Sequence, residues 1–139
     1  FAPILSFTTE EIFQLIFKSN KSIHLEKFLD FPKNFENKNL NDKWIELIDI
    51  RNKCNISIEE KRAKKEIGSS LEAELQINLD DKLKELTQTV DFAELCITSK
   101  AEITYANINE IIITTIKATG TKCPVCWKIS AEPCSRHSA

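Results

Sequence analysis

Between Leu71 and Leu79 apolar and polar residues alternate almost without a break: Leu71, Ala73, Leu75, Ile77 and Leu79 interleave with Glu72, Glu74, Gln76 and Asn78. A period of two belongs to a strand with one dry face and one wet face. Upstream the spacing is helical. Ile12, Leu15 and Ile16 share one face of a predicted first helix that starts at Thr8, with the Thr8 hydroxyl and Glu11 forming a capping box. A longer helix is predicted over 41–66, with Asn41 as N-cap, Asp42 favouring the dipole and Gly68 as the stop. Its inward stripe reads Trp44, Leu47, Ile48, Cys54 and Ile58. Residues 19–39 between the helices are polar and broken by Pro32, a connector anchored by Leu25, Phe28 and Phe31. Beyond the strand, Asp80 caps a short helix carrying Leu83, Leu86 and Val90. Apolar runs near 94–98 and 110–118 read as two more strands, the second ended by Gly120. The expected class is α+β. A helical portion of a bundle spans 1–68, a small mixed α/β subdomain 69–119, and a cysteine-bearing tip 120–139.

With 139 residues, 42% hydrophobic and 29% charged, the chain is globular in composition and has room for one ordinary domain or two small ones. Its longest apolar runs, such as Ile111–Ile113, are far too short to cross a bilayer, and no secretory pattern opens it. It begins on Phe1 and runs at once into apolar residues, which suggests a piece of something longer. The net charge of −2 announces no polyanion partner, but its distribution changes that picture. Arg51, Lys53, Lys61, Arg62, Lys64 and Lys65 gather in the second half of the long helix, and Lys117, Lys122, Lys128 and Arg136 in the C-terminal segment, on either side of an acidic middle. Such segregation suits a local phosphate-binding face. It equally suits ordinary solvated faces, and cations near a helix C-terminus are favourable in themselves.

The most specific chemistry lies in Cys123-Pro-Val-Cys126 and Cys134-Ser-Arg-His137, two pairs separated by seven residues. A two-residue gap lets both side chains of a tight turn converge on one tetrahedral ion, and three thiolates with an imidazole suit Zn²⁺. With all four positions filled by protein, such a site is structural, not catalytic. The alternatives are a redox pair, against which no βαβ pattern is read before the motif, and unliganded thiols. Cys54 and Cys96 sit on apolar faces and read as packing, and His24 has no partner in view. Twenty residues this poor in large apolar side chains cannot fold alone, so metal bonds would stand in for a core.

Several segments, in order, resemble the C-terminal end of bacterial-type isoleucyl-tRNA synthetases. Ala2-Pro-Ile-Leu-Ser-Phe-Thr-Thr-Glu-Glu-Ile-Phe13 is similar to the helical entry of the anticodon-binding domain in class I synthetases for aliphatic amino acids. Ser22-Ile-His-Leu25 through Phe31-Pro32 looks like the extended segment that follows it in the isoleucine enzyme. The run Glu60 to Ala73 is similar to that branch's helix-to-strand junction, and Lys122-Cys-Pro-Val-Cys-Trp127 to its zinc-binding end. Two departures stand out. The second ligand pair ends in His137 where the family usually has Cys, and the His-Ile-Gly-His and Lys-Met-Ser-Lys-Ser type motifs of the catalytic centre are absent. The resemblance therefore implies recognition without catalysis. Its cofactor is a structural Zn²⁺, with ATP and Mg²⁺ confined to a catalytic domain elsewhere. Its partner is isoleucine-accepting tRNA, with no DNA or membrane, for a monomer in the cytoplasm.

An RNA loop presents phosphates and unstacked bases, so a reader needs cations and planar groups. Arg62, Lys64, Lys65, Lys122, Lys128 and Arg136 are the expected cations, and Trp127 the expected stacking platform. Trp127 could equally cover the metal turn. Two other readings stay open: a zinc-stabilised protein-interaction module using Glu72 and Glu74, and a small DNA-binding zinc protein, which lacks a basic recognition helix here.

Overall fold

A computed structural model describes residues 1–18 and 20–137. Ser19, first in the predicted connector, and Ser138 and Ala139, last in the predicted tip, lie outside the described residues. The chain divides into two compact units, Phe1–Asn37 and Lys38–Ala139.

In the first unit the amides of Ile4 and Leu5 both donate to the Phe1 carbonyl, a turn that leads directly into α1 (Ser6–Phe17). The helix therefore starts before Thr8, with Leu5 as N-cap and no side-chain cap, so the predicted capping box does not form. Lys18, at φ 46°, ends it. Polar groups hold the following segment against α1. Glu10 accepts from Ser22 Oγ and from the Ile23 amide, both at 2.9 Å, and His24 Nε2 lies 3.2 Å from the Ser6 carbonyl. Gln14 Nε2 also donates to Glu10, at 2.9 Å, and the bonds to this carboxylate favour its ionised form and hold its pKa below the ordinary value, Gln14 contributing most and Ser22 next. The expected anchors do not bury: Leu25, Phe28 and Phe31 are 82%, 85% and 78% exposed, and no described residue of this unit is buried. Thirty-seven residues with one regular helix offer no second layer to cover an apolar face.

The second unit opens with α2 (Lys38–Ala63), which begins three residues before the predicted Asn41 cap. Its buried residues are Leu47, Ile50, Cys54 and Ile58, spaced three, four and four apart along one face. Trp44 and Ile48 fall off that line and are 43% and 40% exposed, correcting the predicted stripe. The stop is not Gly68 but Lys65, at φ 59°. Its amide donates to the Arg62 carbonyl while that of Glu66 reaches Lys61, the two bonds of a Schellman motif. A Lys61–Glu66 ion pair of 2.7 Å takes the place of the usual apolar contact across it. A side chain in the left-handed region is strained. Lys65→Gly is therefore expected to stabilise the fold by up to about 1 kcal/mol, measured by urea unfolding, whereas Lys65→Ala brings no gain.

Leu71 sits in a 3-10 turn (Ser70–Glu72), so the alternating strand starts later, as β1 (Ala73–Asp80). Ala73, Leu75, Ile77 and Leu79 face inward as the pattern requires. β1 is central, with β2 (Lys100–Ala106) parallel on one side and β3 (Ile112–Lys117) antiparallel on the other. Asp80 accepts from the Lys82 amide as predicted, opening a crossover through α3 (Lys84–Thr87) and α4 (Phe92–Leu95). Residues 94–98 are thus not a strand. Asp91 caps α4 by accepting from the amides of Ala93 and Glu94, and Ile97, at φ 55°, turns the chain into β2. A parallel pair with a helical crossover is a βαβ unit, contrary to the sequence reading of what precedes the cysteine motif. Leu47, Ile50, Cys54 and Ile58 pack with the inner face of β1, Phe92 and Cys96 into one core. The boundary between units accordingly falls at Asn37, inside the predicted 1–68 segment, because α2 completes the sheet's core.

Ala73 pairs with Lys117, and Glu74 with Lys100. The exit of α2, the start of β1, the start of β2 and the end of β3 therefore share one rim of the sheet, and the cysteine tip springs from that rim.

Candidate metal centre

The tip is built on a two-stranded ribbon, β4 (Thr121–Lys122) against β5 (Ile129–Ser130). Gly120 admits it. At φ 127° it holds a conformation side chains rarely adopt, and a Cβ there would collide with the Ser130 carbonyl. Inside the ribbon the Cys123 amide donates to the Lys128 carbonyl and the Trp127 amide to the Cys123 carbonyl, with Trp127 at φ 65°. This turn swings Cys123 and Cys126 to one side, where Cys134 and His137 meet them.

The four donor atoms lie within 4.8 Å of one another. Cys126 Sγ and Cys134 Sγ are 3.7 Å apart, and His137 Nδ1 is 3.7 Å from Cys123 Sγ and 3.4 Å from Cys134 Sγ. A tetrahedron with metal–sulfur bonds of about 2.3 Å and metal–nitrogen bonds of about 2.0 Å has edges of roughly 3.8 Å between sulfurs and 3.5 Å between sulfur and nitrogen. The donor set fits a tetrahedral divalent ion. All four predicted ligands come together.

The electrostatics agree with the geometry. The amides of Cys126 and Val125, pointed at the Cys123 sulfur, pull its pKa down to about 6, so it is a thiolate at neutral pH. At Cys126 the Lys128 amide acts in the same direction, but desolvation and the neighbouring Cys123 and Cys134 sulfurs outweigh it and hold this thiol above its ordinary value. A cation among the sulfurs would relieve that repulsion. Cys54 and Cys96 are buried in the core as expected, and contact with Cys96 together with burial pushes the Cys54 thiol up.

The predicted cations occupy three kinds of place. Arg62 pairs with Glu59 at 2.6 Å. Lys64 and Lys65 are exposed and enter no ion pair among the described residues. Arg62, Lys65 and Lys117 share one shallow cleft with Glu59, Glu66 and Glu72, which places the α2 exit beside the end of β3. Lys122 lies over the Trp127 ring, 5.5 Å from its centroid, and Trp127 is 59% exposed. Lys128 and Arg136 both pair with Glu94, at 2.6 Å and 2.9 Å. The carboxylates suggested for a basic protein partner are engaged internally: Glu72 accepts from the Gly68 amide and Glu74 pairs with Lys100.

Sequence reasoning missed Glu94 and Ser99, whose hydroxyl accepts from the Ile129 amide at 2.6 Å and donates to the Leu71 carbonyl at 2.5 Å. No local pattern marks either residue, because both act on partners about thirty or more positions away.

Comparison with known proteins gives a consistent result. A family model described as the anticodon-binding domain of tRNA ligase matches residues 1–77. The isoleucine–tRNA ligase of Pelagibacter ubique is 64% identical over 138 residues, which are 99% of this chain and 15% of that protein. Those of Methylacidiphilum infernorum and Petrotoga mobilis are 39% and 35% identical, over 93% and 92% of the chain and 14% and 15% of those proteins. The chain thus spans about 15% of the length of the curated relatives it matches. No helix is long and apolar enough to cross a membrane among the described residues.

Proposed function

Since the chain belongs to the anticodon-binding domain family of tRNA ligases, we propose that it is the tRNA-reading end of an isoleucine–tRNA ligase, held rigid by a structural zinc. Zinc is the ion of choice for a closed tetrahedral set of three thiolates and one imidazole. Cys123, Cys126, Cys134 and His137 would hold it, and with no open position it supplies folding energy and no chemistry.

One observation carries the reading. Trp127 stands exposed on the turn that carries Cys123 and Cys126, with the Lys122 ammonium over its ring. Stacking on the indole and attraction of phosphates to the lysines are the two terms by which single-stranded RNA is held without reading a duplex groove. Lys64, Lys65 and Lys122 are the phosphate contacts on this reading, with Arg62 beside them and Lys128 and Arg136 behind the platform. The complete polypeptide would join isoleucine to its tRNA in the cytoplasm as a monomer, with ATP and Mg²⁺ handled by a separate catalytic domain. These residues contribute recognition.

Titrating the zinc-loaded chain with isoleucine-accepting tRNA is expected to give binding that falls steeply with salt and exceeds binding to duplex DNA. No binding, or equal binding of duplex DNA, would overturn the proposal. Trp127→Ala is expected to weaken RNA binding by about 1–3 kcal/mol, roughly five- to 150-fold, with the zinc content unchanged. Unaltered affinity in that variant removes the stacking platform.

A further inference from the structure

Glu94 places one oxygen, Oε1, 2.6 Å from Lys128 Nζ and 2.9 Å from Arg136 Nη2. The two cations come from different halves of the metal centre. Lys128 follows Cys126 by two positions, and Arg136 lies between Cys134 and His137. One carboxylate on α4 therefore reaches both ligand pairs at once. Asp91 caps α4 by accepting from the Glu94 amide, which fixes the backbone from which that carboxylate projects. A second tie runs in parallel, from the Ile129 amide to Ser99 Oγ. The ribbon is only two residue pairs long, so these contacts, with the Gly120 turn, set the angle at which the tip leaves the sheet.

From this we infer that Glu94 is a positioning residue for the RNA-binding platform. It clamps Lys128 and Arg136 so that the turn between the ligand pairs holds Trp127 and Lys122 in one fixed orientation, and those two cations act as clamp partners, not phosphate contacts. The inference rests on the proposed RNA-binding function for its consequence, but the clamp itself is testable without RNA.

The zinc-loaded 139-residue chain is compared with Glu94→Gln, Lys128→Ala, Arg136→Ala and the two double variants that combine Glu94→Gln with each alanine. Two measurements are made on each: amide exchange across Thr121–Ser130 with zinc content, and binding of an isoleucine-acceptor anticodon stem-loop over a salt series. Partly exposed ion pairs are individually weak, so the expected changes are modest. Glu94→Gln should speed exchange in the ribbon several-fold, retain zinc, and lower RNA affinity about three- to tenfold. The alanine substitutions should add nothing further in the Glu94→Gln background, and none should alter the slope of affinity against salt.

Three results would overturn the inference. One is unchanged ribbon exchange in Glu94→Gln. Another is a gain in RNA affinity on losing the carboxylate, which would make Glu94 a simple repulsive charge. The third is a salt slope reduced by about one on removing Lys128 or Arg136 whatever residue stands at position 94, the signature of a phosphate contact. Failure of the wild-type chain to bind the stem-loop would refute the proposed function, and the exchange measurement would then decide the clamp by itself.

Discussion

Chelating the proposed zinc is expected to unfold residues 121–137 while the α2-and-sheet core from Lys38 to Lys117 stays folded. Among the described residues beyond Ala118, only Cys123 is buried, and it is one of the four clustered donors. The ribbon adds two residue pairs and a handful of hydrogen bonds. Structural zinc sites contribute apparent binding energies of about 10–16 kcal/mol at neutral pH, far more than such a ribbon supplies on its own. The buried residues of the core come from α2, the connection to β1, β1 itself and the crossover, and include none of the four clustered donors. Amide exchange with and without chelator separates the two regions. Simultaneous opening of both, or protection unchanged by chelation, would contradict the assignment.

The same centre sets a pH window. Cys123 has a pKa lowered to about 6 from an ordinary 9.0. Its contribution to stability is complete above the ordinary value and is lost as pH falls through about 6. Metal retention should therefore fail on the acid side, as protons compete for the ligands.

The second large effect lies at the sheet's centre. Leu75 is fully buried, with Ala101 and Thr115 as its register partners, while the adjacent Gln76 is exposed on the other face. Leu75→Ala is expected to cost about 2–5 kcal/mol through lost burial and a residual cavity. Gln76→Ala should stay within about 0.5 kcal/mol of the parent. Urea unfolding of the two variants checks the register directly, because a slip of one position would exchange their phenotypes.

How much of this was legible in the sequence depends on whether the signal was local. The alternation in 73–79 announced β1 and its inner face, since a period of two has no helical counterpart. The Cys and His spacing announced the four ligands for a similar reason: chemistry and spacing together admit few solutions. Residues 94–98 misled because Leu95, Cys96 and Ile97 suit a strand or a buried turn equally well. The deciding signal was Asp91 as a cap, with the true strand visible in the alternation of Ala101, Ile103 and Tyr105 against Lys100, Glu102 and Thr104.

Other features had no sequence signature. Lys65 takes a left-handed conformation normally given to glycine, so attention falls on Gly68 instead. Trp44 looks like core by hydrophobicity, but the face of α2 is fixed by where β1 lies, and Ile50 faces it instead. The candidate cations were recognisable by charge, yet only the folded chain divides them into those standing exposed, such as Lys64, and those held by Glu94.

The arrangement of strand ends has a practical outcome. If the α2 exit and the metal turn crowd one rim, the opposite rim, where Asp80 meets Ala106 and the chain loops back toward Ile112, lies about 20 Å away along the strands. Asn107 and Asn109 are exposed there. A dye, tether or inserted epitope grafted at those asparagines would give a handle for immobilisation or distance measurement that leaves the proposed RNA-binding edge bare.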